Sequence, residues 1–123
     1  MLNNADPRQF KKIYLALGYT DLRKGIQGLS MIIEQQFHLN PYDPDILFMF
    51  CGRRADRIKC LVWERDGWLL LYKRIEAKES RFQWPRTGAE AVQITSEQFT
   101  WLMQGLSIEQ SRRIRQVQPT LAG

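Results

Sequence analysis

The sequence has few of the residues on which metal sites, disulfide scaffolds and histidine catalysis depend. Its 123 residues include two cysteines and one histidine. Cys51 and Cys60 lie nine positions apart with no second pair and no adjacent histidine, so neither a structural zinc site nor a disulfide framework is indicated. We expect two reduced, partly buried thiols. His38 has no serine or cysteine nucleophile motif beside it, which favours a capping or surface role.

Long apolar runs and glycine-rich phosphate loops are also missing. No stretch approaches the roughly 18 to 20 apolar residues of a membrane-spanning helix, and the first residues lack the layout of a signal peptide. No P-loop or dinucleotide-binding glycine motif is present. Most aspartates fall in predicted turns and caps, where they serve the backbone, so a two-metal carboxylate site is not indicated. These absences predict a cytoplasmic, non-enzymatic protein without a cofactor.

Positive charge, by contrast, is concentrated in one part of the chain. Residues 51–86 contain ten Lys or Arg and five Asp or Glu, whereas the remaining residues contain eight of each. This segment therefore accounts for the net charge of +5. Its cations alternate with aromatic and branched apolar residues. A localised basic surface built on strands predicts a polyanionic partner, and nucleic acid is the polyanion we expect.

The length and composition predict a single domain of the α+β class. A chain of 123 residues that is 44% hydrophobic and 25% charged suits one globular domain with its own core. We assign residues 1–106 to this domain and residues 107–123 to a basic, loosely ordered C-terminal tail. An apolar run at residues 13–17 predicts an N-terminal strand. Apolar residues spaced three or four apart predict a helix over residues 21–37, with Thr20 as its N-cap.

An antiparallel meander of three to four strands is predicted after this helix. Three strand-like runs cover residues 46–51, 57–64 and 68–75. Residues 82–84 could add a short edge strand, since Pro85 follows directly and lacks the donor that a central strand needs. A C-terminal helix is predicted from Thr95 to Gly105. The spacing of Thr95 and Gln98 is that of a capping box.

The turn at Asp66 and Gly67 allows two registers between the last two strands. A two-residue turn pairs Arg65 with Trp68 and Lys59 with Arg74. One face of the hairpin is then apolar: Ile58, Cys60, Val62, Leu69, Leu71 and Ile75. The other face is aromatic and basic: Lys59, Leu61, Trp63, Trp68, Leu70, Tyr72 and Arg74. Either bases or a partner protein stack on this second face, or the C-terminal helix covers it and leaves the cations at the rim.

Two further groups of cations suggest anion binding. Arg53, Arg54 and Arg57 lie within five positions in the predicted loop between the first two meander strands, and Asp56 can neutralise one of them. This loop could either bind a phosphate or remain solvated, and the sequence leaves both interpretations open. Arg23 and Lys24 fall in the first turn of the predicted helix, where free N–H groups and two cations favour a phosphate or carboxylate.

Several ordered motifs together resemble the TnpB-type accessory proteins, the second open reading frame products of the insertion sequence 66 family of bacterial transposable elements. The resemblance covers most of the chain. It rests on residues 18–25 (GYTDLRKG), 28–29 (GL), 50–54 (FCGRR), 56–59 (DRIK), Trp63, 66–67 (DG), 72–74 (YKR), Glu76 and 82–85 (FQWP).

The resemblance implies an accessory role in DNA transposition beside a separate, larger transposase, with no catalytic activity assigned to the accessory protein. The implied partners are the DNA of the element ends and the transposase subunit. The residues that we expect to bind nucleic acid are Arg53, Arg54, Arg57, Lys59, Lys73, Arg74, Arg23 and Lys24, and the stacking or packing groups are Trp63, Tyr72 and Trp84.

Two alternatives remain open from the sequence. The basic face could dock on an acidic surface of the transposase without contacting DNA. A nuclease would instead use scattered acids such as Asp21, Asp56 and Asp66, which the sequence does not favour.

Overall fold

A computed structural model describes residues 2–109 of the chain, so the predicted tail beyond residue 109 lies outside the described residues. Within residues 2–109, five strands form one sheet in the order β4-β3-β2-β1-β5. In chain order the elements are β1 (Lys12–Ala16), α1 (Ile26–Met31), β2 (Ile46–Cys51), β3 (Arg57–Trp63), β4 (Trp68–Arg74), β5 (Ala91–Ile94) and α2 (Ser96–Met103). The α+β class is confirmed. No helix within residues 2–109 is long and apolar enough to cross a membrane.

The predicted meander is confirmed, but the edge strand lies elsewhere in the sequence. Strands β2, β3 and β4 pair antiparallel, and β1 lies parallel to β2. The outer neighbour of β1 is β5, with Ala16 opposite Ala91. The prediction of a strand at residues 82–84 is wrong. The Phe82 N–H donates to the carbonyl of Ala55 in a loop, 2.7 Å away, so this segment crosses over loop backbone without joining a ladder.

The first helix begins at Ile26, five residues later than predicted. The Asp21 carboxylate accepts a hydrogen bond from the Arg23 backbone N–H at 3.0 Å, and this local turn competes with helix formation. Gly25, not Thr20, is the N-cap. The prediction that Arg23 and Lys24 occupy a first helical turn is therefore wrong, and their backbone groups do not form a helix N-terminus.

The end of this helix is widened rather than simply α-helical. Residues Ile32–Gln36 form a π-helical turn that continues α1 directly. His38 then adopts a positive φ of 56°, and the Leu39 N–H donates to the Ile33 carbonyl at 3.0 Å. His38 is exposed and ends the helix through its backbone conformation, in line with the capping or surface role expected for it.

The register of the β3–β4 hairpin differs by two residues from the two-residue-turn prediction. Trp63 lies opposite Trp68, and Lys59 lies opposite Tyr72 rather than Arg74. The connection therefore spans four residues, with the Glu64 N–H bonded to the Gly67 carbonyl at 2.9 Å. Because side chains alternate with a period of two, a shift of two residues leaves the predicted faces of the hairpin unchanged.

Each face of the sheet carries its own apolar core. On one face, α2 packs through Phe99 and Leu102 against the apolar hairpin face that contains Ile58 and Cys60. On the other face, α1 packs through Leu29 against Leu61. The expectation that the C-terminal helix covers the aromatic and basic face is thus wrong, because α1 covers its apolar part instead.

The C-terminal helix is capped as the sequence predicts. The Thr95 side chain accepts from the Gln98 N–H at 3.1 Å, and the Gln98 side chain accepts from the Thr95 N–H at 2.8 Å. Gly105 follows the helix with a φ of 81°, a conformation that glycine adopts without steric cost. The capping box is confirmed at one end and a glycine stop at the other.

Both cysteines are fully buried rather than partly buried, and burial raises the pKa of each thiol to about 12. Since the thiolate is the reactive form, native protein at pH 8 should react with a thiol-specific disulfide reagent only as fast as it unfolds. The reaction is followed by absorbance, with protein in guanidinium chloride as the positive control. Rapid stoichiometric labelling of the native protein would contradict the buried placement of Cys51 and Cys60.

Candidate nucleic-acid interface

Four arginines line one cleft at the end of the sheet where β2 passes into β3. The cleft has a volume of about 700 Å³. Its walls come from three parts of the chain: the segment after β1, the β2–β3 loop with the first residue of β3, and the face of β4. We call it the arginine cleft, lined by Tyr19, Thr20, Asp21, Leu22, Arg23, Gly52, Arg53, Arg54, Asp56, Arg57 and Tyr72.

Backbone hydrogen bonds fix the β2–β3 loop. The Gly52 N–H donates to the Arg57 carbonyl at 3.0 Å, and the Ala55 N–H donates to the Gly52 carbonyl at 3.0 Å. The Thr20 N–H donates to the Cys51 carbonyl at 2.8 Å, which ties the segment after β1 to the same loop. A side chain at position 52 would approach Leu22 Cδ1 to 3.3 Å, so glycine allows this close packing. The loop is therefore held in one place.

Arg86 stabilises the β2–β3 loop through hydrogen bonds to its backbone. This arginine was not identified from the sequence. Its Nη2 donates to the carbonyl of Gly52 at 3.0 Å and to the carbonyl of Arg53 at 3.2 Å. Trp84, two residues earlier, is buried and donates from Nε1 to the Ala16 carbonyl at 2.8 Å. This anchor brings Arg86 to the loop. The one sequence signal was its position directly after the Trp84-Pro85 motif.

Both carboxylates of the arginine cleft are already engaged by arginines. The Asp21 carboxylate lies 2.8 Å from Arg23 Nη2, and hydrogen bonding from Arg23 lowers the pKa of Asp21. The Asp56 carboxylate lies 3.2 Å from Arg57 Nε. Desolvation opposes ionisation of Asp56, but the hydrogen bond and charge of Arg57 outweigh it and lower its pKa. Both acids therefore stay ionised near neutral pH.

The other two arginines of the cleft have no carboxylate partner among the described residues. Arg53 donates from Nη2 to the Tyr19 hydroxyl at 2.6 Å, and its Cζ lies 4.5 Å from the centre of the Tyr19 ring. Arg54 is exposed and makes no ion pair or side-chain hydrogen bond within residues 2–109. With four arginines and two aspartates, the side chains lining the cleft carry a net charge of +2.

Tyr72 lines the cleft from β4, and Lys59 lies beside the cleft on β3. They lie opposite each other on β3 and β4, and Lys59 Nζ lies 5.8 Å from the centre of the Tyr72 ring. Lys59 Nζ also donates to the backbone carbonyl of Lys24 at 2.9 Å. These two contacts hold the positive charge of Lys59 between β4 and the segment that precedes α1.

The structure brings only some of the predicted residues together. Arg23, Arg53, Arg54, Arg57 and Tyr72 line the cleft, and Lys59 lies beside it.

The other predicted residues lie away from the cleft. Lys73 points to the opposite face of β4 and bonds the Asn3 side chain, and Arg74 pairs with Glu76 at 2.8 Å. Lys24 does not line the cleft. Trp84 belongs to the core and is a packing group.

Trp63 lies at the turn end of the hairpin, away from the loop arginines. It forms an aromatic cluster with Tyr42 and Trp68, with ring centres 5.0 to 5.2 Å apart. Asp66 belongs to the same turn, so it is separated from Asp21 and Asp56. Within residues 2–109 there is no group of three or more His, Cys, Asp or Glu side chains that could hold a metal ion.

The sequence is similar to a known protein family and to two bacterial proteins. A sequence model described as "IS66 Orf2 like protein" matches residues 11–113. The chain is 32% identical to "Uncharacterized protein y4hO" of Sinorhizobium fredii over 77% of its own length and 80% of that relative. It is 30% identical to "Uncharacterized protein y4jC" of the same organism over 93% of its length and 95% of that relative. No solved structure matches the chain.

Proposed function

Because the chain belongs to the IS66 Orf2-like family, which supports an accessory role in transposition, we propose that it binds DNA through the arginine cleft without cutting the DNA. The observation that carries this proposal is the convergence of four arginines on a cleft whose two carboxylates are already paired. Arg53 and Arg54 are exposed there and free of acidic partners among residues 2–109. A phosphate backbone supplies the negative charge that these two side chains lack.

The chemistry of the cleft suits phosphate. A guanidinium presents N–H donors in a planar fork, and its hydrogen bonds to phosphate oxygens are short and charge-assisted. Each phosphate that an arginine neutralises also releases condensed counterions, which makes affinity depend on salt. Less entropy is lost on binding, because Arg86 already holds the loop through the carbonyls of Gly52 and Arg53.

The double substitution Arg53→Ala/Arg54→Ala should weaken DNA binding at least about tenfold at ~0.1 M salt. Fluorescence anisotropy with a labelled oligonucleotide, as duplex and as single strand, measures the dissociation constant over a salt series. Loss of two phosphate contacts should reduce the slope of log K against log salt by about 1.8 for duplex or about 1.4 for single-stranded DNA.

The matched control is Arg8→Ala/Arg65→Ala. It also removes two positive charges, but both lie outside the cleft. Arg8 pairs with Asp6 near the N-terminus, and Arg65 pairs with Asp45 at the hairpin turn. This control should retain binding to within about twofold. Equal losses in both double variants would show that only net charge matters, and would refute the cleft as the site.

Two further results would overturn the proposal. The first is DNA binding by Arg53→Ala/Arg54→Ala that equals that of the wild type. The second is that the protein binds no DNA but co-purifies with the transposase after nuclease treatment, which would support docking on an acidic protein surface instead. Incubation with DNA and Mg²⁺ should leave the labelled strands uncut, and cleavage abolished by Asp21→Asn or Asp56→Asn would establish a nuclease.

A further inference from the structure

Two large aromatic side chains stay exposed inside the arginine cleft. Tyr19 is 55% exposed and Tyr72 is 52% exposed, although both belong to a cleft whose other apolar member, Leu22, packs into the core. Neither tyrosine is needed to fill the interior, because the core on this face is closed by α1. Their rings are therefore available to a ligand.

A cationic side chain contacts the ring of each tyrosine. The Arg53 guanidinium lies 4.5 Å from the centre of the Tyr19 ring and bonds its hydroxyl, so the two side chains support each other. Lys59 Nζ lies over the Tyr72 ring and is itself held by the Lys24 carbonyl. Aromatic and guanidinium planes are the surfaces on which unpaired bases stack, and adjacent cations neutralise the phosphates of the same strand.

The bases of duplex DNA could not stack on these two tyrosine rings. Paired bases present their edges in the grooves, while their flat faces are hidden within the stack, so neither tyrosine could stack without opening the helix. An unpaired strand exposes the π-face of every base and can bend into a cleft. The cleft volume of about 700 Å³ lies in the range that holds ligands larger than a single ion.

We propose that the arginine cleft binds single-stranded DNA, with a base stacked on Tyr72 and the flanking phosphates bound by Arg53 and Arg54. This inference rests on the proposed function and adds to it the strand state of the DNA. The hydroxyl of Tyr19 bonds Arg53, whereas the Tyr72 hydroxyl has no hydrogen-bond partner among residues 2–109, so a ring alone should suffice at position 72.

The experiment compares a labelled single strand with the matching duplex at one salt concentration, for wild type, Tyr72→Ala and Tyr72→Phe. The wild type should bind the single strand more tightly. Tyr72→Ala should weaken single-strand binding roughly 5- to 100-fold and duplex binding by less than about twofold. Tyr72→Phe keeps the ring and should retain wild-type affinity. Tyr42→Ala is the matched control and should have no effect, because Tyr42 is equally exposed but contacts Trp63 at the turn end of the hairpin, away from the cleft.

The possible failures are distinguishable. Binding that depends on Arg53 and Arg54 but shows equal affinity for both DNA forms, or no effect of Tyr72→Ala, would overturn the single-strand inference and leave the proposed function intact. Absence of binding to either form would overturn both. Weaker binding by Tyr72→Phe equal to that of Tyr72→Ala would also contradict stacking, since it would assign the effect to the hydroxyl.

Discussion

Trp84→Ala is expected to lower the free energy of unfolding by about 3 to 5 kcal/mol, the range for removal of a large buried aromatic side chain. Trp84 is buried in the core on the α2 face and belongs to no helix or strand. Its Nε1 donates to the carbonyl of Ala16, at the end of β1. Urea denaturation followed by circular dichroism measures the change without relying on tryptophan fluorescence.

Trp84→Phe separates the packing of this residue from its hydrogen bond. The phenyl ring keeps most of the apolar contact, but the Ala16 carbonyl loses its indole donor, so a smaller destabilisation of about 1 to 3 kcal/mol is expected. A loss below about 1 kcal/mol for Trp84→Ala would contradict the buried placement. It would then follow that residues 82–86 are held to the sheet by other contacts.

The second large effect is expected from Leu29→Ala, at about 2 to 5 kcal/mol. Leu29 is fully buried where α1 packs over Leu61 on the sheet. Truncation leaves a cavity between the helix and the sheet, and the neighbouring strands are too constrained to close it. The free energy of unfolding is again measured by urea denaturation.

Gln27→Ala is the matched control for Leu29→Ala. Gln27 lies in the same helix with an exposed side chain, so its replacement should change stability by no more than about 0.5 kcal/mol. A small effect of Leu29→Ala, together with a large one of Gln27→Ala, would mean that the helix presents a different face to the sheet.

The positions of β1 to β4 were predictable because the signal for them is local. The alternation of apolar residues in β3 and β4 fixes which side chains share a face, and this held even though the hairpin register was wrong. The start of α1 was missed because its apolar spacing extends back to Leu22, whereas the Asp21 side chain bonds the Arg23 backbone and delays the helix to Ile26. A periodic pattern cannot report such a competing turn.

Strand β5 and part of the cleft could not be predicted for a different reason. Ala91–Ile94 is only four residues long, and its partner β1 lies near the other end of the chain. The loop arginines were found from their clustering in sequence. Tyr19 and Arg86 reach the same loop through side-chain hydrogen bonds between segments far apart in the chain, which a single sequence does not reveal.

The position of β1 in the sheet bears on the order in which the protein can be assembled. Although β1 precedes the other four strands of the sheet in the chain, it lies between β2 and β5, and Ile13 pairs with Ile94. One side of β1 can be paired once β2 has been made, but its other side must wait until residues 91–94 leave the ribosome. Contacts of such large sequence separation slow folding, because the long loop must close before they form. A nascent chain that stops short of residue 91 would therefore present β1 as an unpaired edge, the kind of edge that recruits strands from other chains.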